Sequence, residues 1–390
     1  MKDSRIVSFL PAATEMVYAL GLGDQLAGVS HECDFPAPAR SLPVVVRPAL
    51  DFEKMSLREI DVAVSDRLRR GASLYQVDEQ LLRQLAPTHI LTQNLCQVCA
   101  PSGNEITQAL HALPIVPEIL WFTPKCLDDI HQNLRQLGAA CGREDQAGEI
   151  ISSHRNRRQK LSEVVRAASS RPRIFCLEWT DPYYCCGHWV PEMVELAGGQ
   201  DALGRKGTDS VRISWTDIAK WSPEVLIIMP CGFGLEKAVG QTIELLRQPG
   251  WSDLPAVRNG RVFAVNANSY FARPGPRVIE GIELLAHLIH PELCGWDGPD
   301  NAFRQIPASA GLPPSSRSKR CPECGAIFPC GPESGKAGCW CGDLPPLSPP
   351  TPNRDCLCPE CLAKAIARKV SDSDCGSHPP RQPICRRSLP

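Results

Sequence analysis

The apolar positions of the first 305 residues fall into short dense runs separated by stretches of helical periodicity. That alternation predicts parallel strands buried on both faces and covered by helices. Arg5-Ile6-Val7-Ser8-Phe9 is such a run, followed by a turn and Glu15-Met16-Val17-Tyr18-Ala19-Leu20-Gly21. Arg173-Ile174-Phe175-Cys176-Leu177 answers it, followed by Glu192-Met193-Val194-Glu195-Leu196-Ala197-Gly198. Both read as strand, turn, helix and glycine stop, with Gly21 and Gly198 where a helix end favours left-handed backbone. A second pair, residues 86–92 and 222–228, places a strand just after Pro87 and after Pro223. An internal repeat of this kind predicts two related lobes, residues 1–123 and 171–305.

Residues 145–168 contain no proline and one glycine and are rich in Glu, Arg, Gln, Lys and Ala. They predict one stiff helix within a linking segment, 124–170, about 35 Å long and able to span from lobe to lobe. Arg155, Arg157, Arg158 and Lys160 are expected on its solvated face. The fold class is therefore α/β: two Rossmann-like lobes joined by one long linking helix.

In open parallel sheets ligands sit beyond the carboxyl ends of the strands, so the residues following each strand are the candidates. In the first lobe these are Pro11 and Ala12, then Gln93 and Asn94. In the second they are Trp179 and Tyr183, His188 and Trp189, Cys231, Gly232 and Phe233, and Tyr270 and Phe271. Aromatic and amide edges facing one another across two lobes suit a flat, partly apolar ligand.

Composition divides the chain. From Pro307 onward, 84 residues hold 10 of the 20 cysteines and 16 of the 37 prolines. Residues 306–318 read as a linker and 369–390 as a disordered tail. Between them, in 319–368, Cys321, Cys324, Cys330, Cys339, Cys341, Cys356, Cys358 and Cys361 include two CxxC knuckles. A CxxC turn supplies two thiolates with the bite that tetrahedral zinc requires, and a unit this small needs the metal for folding energy. The expectation is a zinc-binding module with one or two ions, able to engage a protein partner.

The formal net charge of −1 gives no field for nucleic acid or anionic membrane. No apolar run reaches the length of a membrane span. The opening Met1-Lys2-Asp3-Ser4-Arg5 leads into a strand stopped by Pro11 and carries no export signal. A cytoplasmic location is expected, or a periplasmic one if the true start lies upstream. Gly21-Leu22-Gly23 ends a helix instead of opening one and supports no nucleotide site. Cys96-Gln97-Val98-Cys99 and the vicinal Cys185-Cys186 read as incidental buried thiols, with redox or zinc roles as the alternatives.

Residues 8–15 (SFLPAATE) and 28–36 (GVSHECDFP) resemble the opening of the periplasmic cobalamin-binding proteins and their iron-siderophore and haem relatives. The resemblance continues through Gly187-His188-Trp189-Val190-Pro191-Glu192, Ser214-Trp215 and Arg273-Pro274-Gly275-Pro276-Arg277-Val278, covering roughly residues 5–290. It implies the class III substrate-binding fold of ABC importers, which closes little, with cobalamin held between the lobes. Importer-serving members carry a glutamate on each lobe to dock permease arginines; near those places stand Arg58-Glu59 and Thr216-Asp217, displaced by one position. An insertion near residues 65–80 brings Tyr75 into the ligand lobe, as a cleft candidate. His31 and His188 are candidate cobalt ligands, since neutral imidazole coordinates cobalt. The pattern of CPxCG, CWC and CLCxxCL in the tail resembles the cysteine-rich CWC family.

The resulting expectation is a non-enzymatic binder of cobalamin or a related corrinoid. The rivals are a haem or iron-siderophore binder, the binding component of an ABC importer, and a corrinoid- or metal-handling enzyme using Cys96, Cys99 or Cys231.

Overall fold

The computed structural model describes residues 4–93, 113–306, 318–320, 323–324, 327–329 and 361–362. The chain separates into two units, 1–308 and 309–390.

The first unit opens with β1 (Ile6–Ser8), α1 (Pro11–Ala19), β2 (Leu26–Ser30), β3 (Val44–Pro48) and α2 (Leu57–Arg69). It continues through β4 (Tyr75–Val77), α3 (Glu79–Leu85), β5 (His89–Thr92) and β6 (Glu118–Trp121). These strands form one sheet in the order β4-β3-β2-β1-β5-β6, parallel except for β4, which runs against β3. α4 (Leu127–Cys141) and α5 (Glu144–Val165) follow. The second sheet draws on β7 (Ile174–Thr180) and β8 (Tyr183–Cys185). After them come β9 (Gly187–His188), α6 (Val190–Leu196), β10 (Arg205–Lys206), α7 (Trp215–Trp221), β11 (Val225–Ile228) and α8 (Leu235–Leu245). α9 (Pro255–Arg258), β12 (Val262–Val265), α10 (Ala267–Tyr270), α11 (Val278–Ile289) and β13 (Phe303–Ile306) complete it. Its order is β13-β12-β11-β7-β8, with antiparallel strands at both edges. Both sheets are covered by helices, and the class is α/β.

The repeat holds at the level of single atoms. α3 and α7 end at Ala86 and Ser222, non-glycine residues in left-handed backbone at φ 45° and 54°. Such backbone costs roughly 1 kcal/mol for a residue with a Cβ. In each lobe an arginine at the start of the central strand clamps it. Arg5 Nε donates to the Ala86 carbonyl at 2.8 Å, and Arg173 Nε to the Ser222 carbonyl at 3.0 Å. The same arginines' amides bond Thr88 Oγ1 and Glu224 Oε2, each at 2.9 Å. Parallel ladders β1·β5 and β7·β11 follow directly. Gly21 and Gly198 stop their helices at φ 69° and 87°.

α5, 22 residues long, spans about 33 Å and begins and ends within three residues of the expected helix. Only Ala147, Ile151 and His154 are buried on it. Its charges are not all solvated: Arg157 makes a two-pronged bond to Glu283 of α11, at 2.8 and 2.5 Å. The largest hydrophobic core runs continuously through α1, α4, α5, α6 and α11, so the two sheets share one apolar interior.

In the second unit, strands Ser318–Arg320 and Ile327–Pro329 pair as an antiparallel hairpin.

Where α4 crosses α5, His131 Nε2 and His154 Nδ1 lie 3.3 Å apart in the interior. Burial, aided by Arg158 for both rings, lowers each imidazole to about 4. Both are neutral when folded but take up protons in the unfolded chain from about pH 6.5 downward. The unfolded state therefore binds the extra protons across this window, and stability falls as pH drops from about 6.5 toward 4. Denaturant unfolding at stepped pH should show a steeper loss in the native chain than in His154→Leu; equal slopes would contradict this assignment.

Candidate ligand-binding cleft

Charge inside a packed interior must be paired, and this requirement locates the contact between the lobes. α1 is apolar along nearly all of its length, yet carries Glu15, only 4% exposed. Its carboxylate accepts two bonds from Arg277 at the start of α11, at 2.8 and 2.5 Å. Arg273, also buried, lies 3.6 Å from Glu15 and bonds Asp34 Oδ1 at 2.5 Å and the Glu32 carbonyl at 2.9 Å. Burial works to raise the Glu15 carboxyl, and the two guanidiniums oppose it. The Arg277 guanidinium also lies over the ring of Phe35, 4.0 Å from its centroid. Gly275 sits at this contact, where a Cβ would stand at ordinary van der Waals distance, 3.5 Å from the Ala12 carbonyl and 3.4 Å from Glu15.

A second set of contacts crosses between the lobes at α2. Its N-terminus is a capping box in which Ser56 and Glu59 bond one another's backbone. The next turn reaches the other lobe. Arg58 pairs with Asp181 at 2.7 Å, and Asp61 accepts from Tyr184 Oη at 3.0 Å and Arg212 at 2.6 Å. Arg212 Nε also bonds Tyr184 Oη at 2.9 Å. Glu59 and, on the other lobe, Asp217 are both engaged by the cap serines Ser56 and Ser214.

Several expected residues cluster with one another. Trp179 packs against Phe233 with centroids 5.8 Å apart, and its indole N–H bonds the Asp181 carbonyl at 3.1 Å. Lys237 approaches the ring of Phe233 at 5.6 Å. Cys231 and Gly232, at φ 81°, form the turn that presents Phe233. On the first lobe, His31 lies beside Tyr75 with centroids 6.3 Å apart. Pro11, Ala12 and Gln93 are buried.

Other expected residues are placed differently. On β8, side chains alternate between faces. Tyr183 turns into the second lobe, packing on Trp215 and bonding Gln248 at 2.7 Å, while Tyr184 turns toward α2. Trp189, Tyr270 and Phe271 are core residues, with the Trp189 indole bonded to the Phe271 carbonyl at 2.9 Å and Tyr270 edge-on to Trp296. His188, at φ 52°, hydrogen-bonds Asp209 at 3.0 Å, in a cluster separate from that of His31. Asn94, Cys96 and Cys99 lie outside the described residues. So do Cys321, Cys330, Cys339, Cys341, Cys356 and Cys358 of the tail. Among the described residues no group of three or more His, Cys, Asp or Glu side chains is placed to hold a metal ion.

Sequence reasoning missed Glu15, Asp61, Tyr184 and Arg212. Glu15 had a signal, as an acid inside a wholly apolar helix face. Asp61 had none, because its partners lie 123 and 151 residues away.

Two α/β lobes sharing a core, with a helix between them and aromatic side chains beyond their strand ends, define a two-lobed solute-binding protein of the class III type. The chain belongs to the periplasmic binding protein family, whose model matches residues 6–268. A cysteine-rich CWC match covers residues 321–363. An ABC transporter substrate-binding lipoprotein of Bacillus subtilis, itself uncharacterised, is 24% identical over 296 residues, 75% of this chain and 81% of that one. A vitamin B12-binding protein of Vibrio cholerae is 26% identical over 283 residues, 72% and 86%. The apo structure of a periplasmic haem-binding protein from Roseiflexus has a TM-score of 0.56 at 22% identity, covering 74% of this chain and 98% of that one. Among the described residues no helix is long and apolar enough to cross a membrane.

Breaking the buried pair should be costly, because Glu15→Gln leaves guanidinium charge without its partner. We expect about 3–5 kcal/mol lost in urea unfolding. Arg58→Ala, in an exposed pair, should leave the midpoint nearly unchanged. Equal effects would contradict the assignment of Glu15 as the dominant contact.

Proposed function

We propose that the chain binds cobalamin or a related corrinoid between its lobes, without catalysing a reaction on it. The observation that carries this reading is the aromatic face of Trp179, Phe233 and Tyr184, set against α2 of the other lobe, with His31 just past β2 and Tyr75 at the start of β4 in the first. A corrin is a flat apolar ring with an amide rim. Aromatic faces take the ring, and the indole, phenol and guanidinium groups at the edges are donors for the rim. The similarity to a vitamin B12-binding protein supports the same ligand class. His31 is the nearer candidate for cobalt, since Asp209 already holds Nε2 of His188.

Binding, not catalysis, also suits the buried thiol of Cys33. Burial pushes Cys33 up to about 11, so it is protonated and a poor nucleophile at neutral pH. Loading requires the α2 contacts with Asp181, Tyr184 and Arg212 to open, since they close the lobes over this face. The relatives are named as periplasmic or lipoprotein binding proteins, which supports the periplasmic alternative over the cytoplasmic expectation. A role as the binding component of an ABC importer fits that alternative. The tail, matching the cysteine-rich CWC family, we read as a zinc module.

Haem is the second reading, favoured by the adjacency of His31 and Tyr75, both of which serve as iron ligands in haem proteins.

Titration with aquocobalamin should give a saturable spectral shift, weakened about 10- to 100-fold in Trp179→Ala and unchanged in Tyr183→Phe. Loss of the shift in His31→Ala would identify the cobalt ligand. No shift with cobalamin, together with a Soret change on adding haemin, would overturn the corrinoid reading in favour of haem. Elemental analysis of the full chain should find stoichiometric zinc, lost in Cys321→Ser/Cys324→Ser; a zinc-free native chain would contradict the zinc module.

A further inference from the structure

Two thiols that the cleft does not use face one another in the second lobe. β7 and β8 run antiparallel with Leu177 opposite Cys185. Cys176 and Cys186 are the next residues beyond that pair, with Cys186 just past the end of β8. Both are 0% exposed, and each thiol lies close enough to perturb the other's acidity. The third cysteine here turns away: Cys176 and Cys186 belong to the core shared by both sheets, whereas Cys185 packs with Phe175, Leu177 and Leu226 on the opposite face. Directly opposed cross-strand residues have Cβ atoms about 4.5–5.5 Å apart. A disulfide needs about 3.5–4.5 Å, so a small adjustment of the strand edge closes the gap.

We propose that Cys176 and Cys186 join in a disulfide within the second lobe when the chain folds under oxidising conditions, and remain a dithiol under reducing ones. The oxidant is a small or protein disulfide. One cysteine thiolate attacks it, forming a mixed disulfide and expelling one thiolate of the oxidant. The second cysteine thiolate then attacks the mixed disulfide, forming the Cys176–Cys186 bond and expelling the other. Two thiol protons are released, and the oxidant takes up the two electrons. The bond forms before the lobe closes, because in the folded chain burial pushes Cys186 up, and at Cys176 the lowering effect of the Cys186 thiol is more than offset by burial together with the Asp201 and Glu178 carboxylates. Once formed, it ties β7 to the segment between Tyr184 and Gly187.

The test uses the full chain, refolded from denaturant with either glutathione disulfide or a reductant, its remaining thiols alkylated and its peptides mapped. The expected result is a linked peptide pair carrying Cys176 and Cys186 in the oxidised sample alone. The oxidised chain should melt on the order of 5 °C above the reduced one. That difference should vanish in Cys186→Ala and persist in Cys185→Ala. Alkylation of both cysteines after oxidative refolding, or a link from Cys186 to Cys185 instead, would overturn the proposal. If Cys186→Ala does not fold, the peptide map of the native chain decides. Neither outcome depends on which ligand the cleft takes.

Discussion

A buried carboxylate on α1 governs the relation between the two lobes. Glu15 sits where neither water nor a residue of its own lobe offers a counter-charge, and Arg277 and Arg273 come to it from the other lobe. Desolvating these groups is costly, and only the close, bidentate geometry offsets it. The lobes must therefore stay in register at this point. The consequence is visible in the packing: one apolar core passes through α1, α4, α5 and α11 without a break. A hinge that swings widely would expose that core and strip Glu15 of its partners together.

The contacts at α2 are of a different kind. The Arg58–Asp181 pair is exposed on both sides, and exposed ion pairs contribute little and weaken with salt, while Arg212 reaches the more buried Asp61 from a largely exposed position. The same two lobes are thus joined firmly at α1 and α11 and lightly at α2. In a binding protein this asymmetry assigns the rigid side to holding geometry and the light side to admitting ligand. The extended α2 and the β4 edge that follows it carry both the light contacts and Tyr75, so on the proposed reading one segment combines closure with lining.

Much of the fold was legible because it obeys local rules. The repeated strand, turn and glycine stop, the proline before β5 and before β11, and the composition of the linking helix are written in neighbouring residues, and the structure places each within a few positions. The site was less legible because its residues are chosen by distant partners. Tyr183 and Tyr184 are indistinguishable by composition, and only the alternation of β8 decides which faces the core. Trp189, Tyr270 and Phe271 looked like cleft aromatics for the same reason, yet the interior shared by the two lobes absorbs them. Glu15 and Arg277 stood in segments noted for their family resemblance, but nothing local to either predicts that they meet.

Amide hydrogen exchange, measured with and without aquocobalamin, tests the account most directly, because it reports both the site and the amount of movement. The account predicts added protection at α2, residues 179–184 and 231–233, with α1 and the start of α11 unchanged. Protection absent from those segments, or large changes at α1 and α11, would contradict a corrinoid held between lobes fixed at Glu15.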